Sequence, residues 1–262
     1  MRVEVKDRLP YSASIPPRRG QNREHDGWFK LDHYVLRHEG FNGTMSKPLS
    51  RLVFERGDSA AVLLYDSKRD TVVLVEQFRF PAYLRESAES LHLLAGAESL
   101  HLLAGAESLH LLAGAESLQL FAGAESLHLF AGEDGLLLEI VAGTVDAGKK
   151  PEDVARSELV EEAGYAVSSL EHVSTFYPSP GACTERIFLY LGHVVPADRI
   201  AAGGGVPASL CGGGKADTGE DIRVHEMPLA EAVRLVKEGA IRDAKTILAL
   251  QYLMLEQQRN PR

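Results

Sequence analysis

Cysteine, tryptophan and methionine are scarce in this 262-residue chain, which has only Cys183 and Cys211, one Trp and four Met. Two thiols without CxxC spacing exclude a disulfide framework and a cysteine zinc site, and they fit a reducing, cytoplasmic setting. Positive charge is in deficit. A formal net charge of −9 argues against a nucleic-acid binder, which needs a basic patch to release counterions from phosphate. Long apolar runs are missing too: nothing approaches the about eighteen apolar residues of a membrane span. The start MRVEVKDRLPYSASIPPRRG has no apolar run after its charges, so no secretory signal and no membrane partner are expected. What is present, 45% hydrophobic and 25% charged residues, is the composition of a soluble chain able to bury a sizeable core. An acidic protein still acts on an anionic small molecule if metal ions lie between the two.

Residues 1–27 are polar and rich in Pro, Arg and Gly, which reads as a loosely held arm. WFKLDHYVLRH, from Trp28, and SRLVFERG, after the turn signal Phe41-Asn42-Gly43, alternate like half-buried antiparallel strands. SAAVLLYD and TVVLVEQFRF are two apolar strands joined by a short polar turn. The unit AESLHLLAG then occurs three times unchanged (88–96, 97–105, 106–114) and twice in variant form (115–123, 124–132). Nine residues at about 100° each turn a helix through about 900°, so equivalent positions of successive units fall on opposite faces and no single apolar side forms. Strands or a small solenoid-like stack with turns at Gly-Ala fit better, although Ala, Glu and Leu keep helical turns open. The array reads as an insertion in a loop. Its histidines, His92, His101, His110 and His128, are also compatible with a metal-binding tract, but duplication alone explains their spacing.

GLLLEIVAG (135–143) reads as a strand, and TVDAGKK as a turn. PEDVARSELVEEAGY then carries the clearest helix punctuation in the chain, with Pro151 at the first helical position, Glu152 and Asp153 in the first turn and Gly164 past the end. LEHVSTFYPSPG, ERIFLYLGHVV and EDIRVHEMP read as strands, 203–221 as a long loop, and LAEAVRLVKEGA and AKTILALQYLMLEQQ as two amphipathic helices.

On the helix 151–163, Glu158, Glu161 and Glu162 stand at i, i+3 and i+4, on one face. Like charges so placed cost roughly 0.2–0.5 kcal/mol per pair, a penalty that a divalent cation removes. Hard oxygen ligands suit Mg²⁺ or Mn²⁺. Gly143, Glu158, Leu159, Glu161, Glu162, Gly164 and Tyr165 fall at the spacing of the Nudix box. FKLDHYVLRHEGFNGTMS, FERGDSAAVLLYD, DTVVLVEQFRFPAY, LLLEIVAG, SPGACTER, EDIRV and AIRDAKTILALQYL resemble, in the same order, the ADP-ribose pyrophosphatase branch of that family.

The resemblance implies an α/β fold: a mixed sheet between helices (an α/β/α sandwich), with an N-terminal antiparallel sheet that takes part in a homodimer. Its boundaries would be an arm over 1–27, a dimerisation region over 28–57 and a Nudix domain over 58–262 interrupted by the repeats at 88–132. It implies metal held by Glu158, Glu162 and the backbone carbonyl of Ala142, with Glu161 as a ligand or orienting group. It places Arg51, Arg79 and Glu139, the last in the strand leading into the box, on the substrate, Trp28 over the base and Glu220 near the metals. The expected reaction is hydrolysis of ADP-ribose to AMP and ribose 5-phosphate. GDP-mannose and UDP-sugars are alternatives, since AIRDAKTILALQYL also resembles the GDP-mannose hydrolase branch.

Three positions depart from the pattern. The box glutamate is Lys149, the box arginine is Ser157, and the loop acid expected as catalytic base is Thr218. Threonine is no general base near neutral pH, which leaves Asp217 and Glu220 as the nearest carboxylates. A Nudix-like module that binds a nucleotide without cleaving it is therefore the second reading.

Overall fold

The computed structural model describes residues 2–10, 30–83, 101–105, 108–112, 135–204 and 221–259. Strands β1 (Val3–Pro10), β2 (Lys30–His38) and β3 (Leu49–Glu55) form an antiparallel sheet in that order. The two alternating segments behave as expected, and Gly43 takes the positive φ of 77° that the turn between them needs. Strand β1 lies where composition reads as a loose arm. VEVKDRLP has its own short alternation, hidden when averaged with the Pro-rich stretch after it, and its charges and terminal Pro suit a sheet edge. The rest of that arm and Trp28 lie outside the described residues.

The main sheet has seven strands and is mixed. Strands β4 (Asp58–Asp66) and β5 (Thr71–Phe78) are its centre. A separate antiparallel pair, β6 (His101–Gly105) and β7 (Ser108–Leu112), takes one strand from each of two successive repeat units. This agrees with the strand reading there; the other units lie outside the described residues. Strands β8 (Leu136–Glu139), β9 (Val141–Val145), β10 (Glu171–Phe176), β11 (Ile187–His193) and β12 (Ile222–Pro228) complete the main sheet in the order β10-β11-β4-β5-β12, with β8 on β5 and β9 on β4. Strand β11 runs parallel to β4; the other pairings are antiparallel.

GLLLEIVAG is thus not one strand but two. Strands β4 and β5 pair with each other only over Leu64–Asp66 and Thr71–Val73, then diverge. Strand β8 fills the gap along β5, the chain steps across at Ile140, and β9 continues along β4. This step delivers Glu139, Ala142 and Gly143 to the middle of the sheet.

The sheet is buried on both faces. Along β4, Ala61, Leu63 and Tyr65 join one core with Leu229 and Ala232 of α2 (Leu229–Lys237) and Ala249, Leu250 and Leu253 of α3 (Ala244–Arg259). Ala60, Val62 and Leu64 face the opposite core, shared with Val154 and Ala155 of α1 (Pro151–Glu158) and with Leu159 and Ala163 just beyond it. Period-2 alternation with both sides apolar explains why SAAVLLYD reads as a nearly unbroken hydrophobic run. At roughly 1.5–3 kcal/mol per fully buried Leu, Val or Ile, these two layers carry the fold, and together they make the expected α/β/α sandwich. Among the described residues no helix is long and apolar enough to cross a membrane.

Candidate active site

Helix α1 starts as its sequence dictates, with Lys150 extended at the N-cap, Pro151 next and Glu152 and Asp153 complementing the N-terminal dipole. It does not continue as α-helix. Leu159–Ala163 form a π-helical turn, closed by Gly164 at φ 75°. Sequence spacing treats Glu158, Glu161 and Glu162 as neighbours on a regular α-helix; the widened turn instead separates their environments. Glu162 is buried, Glu158 half-buried and Glu161 exposed. Single π-helical turns of this kind are frequent at functional sites.

Glu158 lies directly over Gly143 of β9. A Cβ on Gly143 would stand 2.1 Å from Glu158 Oε1 and 2.4 Å from its Cγ, so only glycine leaves room for this side chain. One residue earlier, the Ala142 amide donates to Glu162 Oε2 at 3.3 Å. Two carboxylates therefore flank Ala142 and Gly143, which fits a hard cation that keeps part of its water shell. Among the described residues no three His, Cys, Asp or Glu side chains form a closed ligand set. A cation here would draw on Glu158, Glu162, a backbone oxygen and water.

Beside this pair is a buried charge network. Glu139 is 2% exposed and accepts two hydrogen bonds from Arg79, Nε to Oε1 at 3.0 Å and Nη2 to Oε2 at 2.8 Å, in a bidentate fork. Lys245 Nζ of α3 donates to the same Oε2 at 2.8 Å. Burial pushes the Glu139 carboxyl up, but the Arg79 hydrogen bonds and the Lys245 and Arg79 charges outweigh it and hold it below the usual carboxylate range. Burial likewise pulls the Arg79 guanidinium down, and the Glu139 hydrogen bonds, with the charges of Glu139, Glu162 and Asp243, raise it overall. Arg79 is 39% exposed at its side chain. The network thus presents one guanidinium edge toward solvent near Glu162, with its counter-charge buried behind it.

A third contribution comes from the loop after β11. Gly204 N donates to Glu162 O at 2.8 Å, and Ile222 N donates to Gly204 O at 3.3 Å. Gly203, at φ 74°, approaches so closely that a Cβ would meet Glu162 O at 2.5 Å. Gly204, which precedes the segment 205–220, is therefore anchored on the carboxylate turn, and Ile222, which follows it, is bonded to Gly204. Asp217, Thr218 and Glu220 lie outside the described residues, as does Trp28.

The remaining candidates sit elsewhere. Arg51 is exposed on β3 and lines a hollow of about 600 Å³ with Leu52, Tyr177 and Pro180, apart from the Arg79 network. Lys149 is exposed and paired with Asp146 at 2.7 Å. The hydrogen bond and charge of Asp146 raise its pKa, with smaller contributions from Glu158 and Glu161. The loop into α1 is thus held by Lys149–Asp146, and Ser157 is exposed. Sequence reasoning missed Lys245, Thr246 and Asp243. Asp243 caps α3 by accepting from the Thr246 amide at 2.9 Å, and an Asp three residues ahead of a helical Thr is a readable capping signal.

A model of the NUDIX domain matches residues 120–250. The ADP-ribose pyrophosphatase of Escherichia coli (strain K12) is 35% identical over 232 residues, 88% of this chain and 84% of that protein. The GDP-mannose pyrophosphatase of Pectobacterium atrosepticum is 31% identical over 230 residues, 88% of this chain and 89% of that one. A crystal structure of an ADP compounds hydrolase superposes with a TM-score of 0.53 at 13% identity, covering 100% of this chain and 97% of the other, a likeness of fold alone. With the carboxylate helix seated on this sheet and relatives of such similarity spanning most of its length, the chain belongs to the Nudix hydrolase family.

Proposed function

We propose that the chain is a Mg²⁺-dependent pyrophosphatase of nucleoside diphosphate sugars, Mn²⁺ serving in its place, that hydrolyses ADP-ribose to AMP and ribose 5-phosphate. The observation that carries this reading is the seating of Glu158 over Gly143 and of Glu162 against the Ala142 amide, beside an Arg79 held in a fork. Carboxylates set at a backbone edge next to a guanidinium suit a diphosphate that arrives with its metal. Glu158, Glu162 and the Ala142 carbonyl would hold the metal, and Glu161, exposed on the same turn, would orient its water. Bound there, a divalent cation neutralises the diphosphate and lowers the pKa of a water.

The chain's own groups do the rest. Arg79 binds a phosphate oxygen, and Glu139 beneath it fixes the direction of the guanidinium. Glu220 or Asp217 takes the proton of the attacking water. The water oxygen forms a bond to one phosphorus, the bridging P–O bond breaks, and the bridging oxygen leaves with the other phosphate. Support for these acids is that Gly204, before their segment, donates to Glu162 O, and Ile222, beyond it, donates to Gly204 O. Glu220 is two residues from Ile222, within about 7 Å of chain.

Arg51 and Trp28 would reach the substrate from the N-terminal sheet in a homodimer. The exposed Leu52, Phe54 and Tyr177 on that side of the molecule are the apolar surface such a contact needs. The arm, the dimerisation region 28–57, the interrupted domain 58–262 and a cytoplasmic location are part of the same proposal. GDP-mannose is the alternative substrate, on the strength of the Pectobacterium relative. Purified protein with Mg²⁺ or Mn²⁺ is assayed against ADP-ribose, GDP-mannose and UDP-glucose side by side, and the expected result is release of sugar phosphate, fastest from ADP-ribose. No release from any of the three would refute hydrolysis. Glu162→Gln abolishes turnover if the chain is an enzyme and leaves nucleotide binding alone if it is a binding module.

A further inference from the structure

The joint between β8 and β9 is held from behind by the start of α3. Ile140, fully buried, lies between the last residue paired to β5 and the first paired to β4, so its amide has no strand partner at the crossing. Thr246 supplies one. Its side chain is fully buried, its Oγ1 accepts from Ile140 N at 2.8 Å, and the same hydroxyl donates to Asp243 Oδ2 at 2.6 Å. One hydroxyl thus spends both capacities, on the joint and on the cap. Next to it, Lys245 Nζ bonds Glu139 Oε2 at 2.8 Å and pairs with Asp243 Oδ1 at 3.0 Å, its side chain only 11% exposed.

The last torsion of a glutamate is soft, so a carboxylate that grips an arginine does not by itself fix the plane of the fork. Lys245 does so by adding a bond to Oε2, the oxygen that also takes the Arg79 Nη2 bond. Likewise, an unpartnered buried amide at Ile140 would drive the joint to shift until the N–H found an acceptor, and Ala142 follows two residues later.

On the reading of the site given above, we propose that Asp243, Lys245 and Thr246 form a positioning clamp with two outputs: Lys245 aims Arg79 through Glu139, and Thr246 sets Ala142 through the Ile140 amide. None of the three touches substrate. The clamp makes the first turn of the last helix part of the site although it lies behind it.

The two outputs separate in a measurement. Lys245→Met raises KM for ADP-ribose roughly tenfold and leaves the Kd for Mn²⁺, read by titration calorimetry, at the wild-type value. Thr246→Val, isosteric and lacking the hydroxyl, weakens Mn²⁺ binding roughly tenfold, in the range of outer-shell effects on metal sites. Thr246→Ser restores it. If both variants lower Tm but leave KM, kcat and the Mn²⁺ Kd within about twofold of wild type, the clamp is only structural and the proposal fails. Should Thr246→Val not fold, Lys245→Met decides by its KM alone. Wild-type protein that hydrolyses no nucleoside diphosphate sugar would overturn the assigned reaction instead, while the Mn²⁺ titration of Thr246→Val still reads the clamp.

Discussion

Gly143→Ala tests the site at its tightest point. The added methyl would stand 2.1 Å from Glu158 Oε1, 2.2 Å from Cδ and 2.4 Å from Cγ. Because Cγ is among the clashing atoms, swinging the carboxylate tip is not enough; the whole side chain must leave the face of β9. Recovering an ordinary contact moves it by roughly 1 Å or more, a misplacement that costs on the order of 100-fold in rate, about 2.7 kcal/mol in the barrier. Overpacking adds about 1–3 kcal/mol to the folding cost. The assay is kcat/KM for sugar phosphate release together with a calorimetric Mn²⁺ titration, on Gly143→Ala, Glu158→Gln and the double variant. If the methyl acts by displacing Glu158, the two losses are not additive, since the second change removes a group already out of place. Full additivity, or a Gly143→Ala protein within about threefold of wild type in kcat/KM, would refute the argument.

The buried pair makes a stability prediction with a pH signature. Glu139→Gln takes from Arg79 its forked counter-charge and leaves Lys245 with Asp243 alone; it costs about 3 kcal/mol, the low end for a broken buried pair because Arg79 is partly exposed, seen as a Tm drop of roughly 6–12 °C by calorimetry. The folded-state pKa of Glu139 lies below its usual 4.5, so its contribution is complete above that pH and is lost as pH falls through the depressed value; the gap between wild type and Glu139→Gln closes in acid. Tyr165, whose hydroxyl burial and then its bond to Glu226 push up to about 12, is predicted to matter for stability alone. Tyr165→Phe costs about 1 kcal/mol below pH 10 with kcat unchanged, and the deficit fades toward pH 12 in denaturant melts. Deletion of 88–132 is expected to leave a folded protein with wild-type kcat, and an insoluble or inactive product would show that the array is structural.

The punctuation of α1 and the apolar alternation of β4 were legible in the sequence because each depends on residues close along the chain. Gly143 was legible as well, as a spacing, although the reason for it is Glu158, fifteen positions later. The π turn was not: a period of 3.6 and one slightly longer place three glutamates almost alike over a single turn. Nor was the break at Ile140, since LLLEIVAG is equally apolar on both sides of it and only the divergence of β4 from β5 demands two strands. Glu139 shows the limit best. A glutamate in a strand reads as a ligand contact, whereas its burial under Arg79 and Lys245 depends on two residues, one 60 positions before and one 106 after.

Two of the stretches outside the described residues, the one after Tyr83 and the one after Gly204, are flanked by residues that touch. Gly135 packs so closely on Tyr83 that a Cβ would stand 2.6 Å from the tyrosine Cβ, and Arg79 N donates to Gly135 O at 2.8 Å. Gly204 and Ile222 are likewise hydrogen-bonded to each other. A framework closed at both points pays little for the length of what lies between, because the cost of closing a loop grows only with the logarithm of its length. Repeat units added between Tyr83 and Gly135 would therefore cost the pairing of β8 with β5 little. The same closure puts both exits at the site, one beside Arg79 and the other on the carbonyl of Glu162. Substrate choice, which the sheet leaves open, is accordingly expected to reside in the segments that start there, and exchanging 205–220 with the corresponding segment of a GDP-mannose pyrophosphatase should shift the ratio of ADP-ribose to GDP-mannose turnover while the Mn²⁺ affinity of Glu158 and Glu162 stays in place.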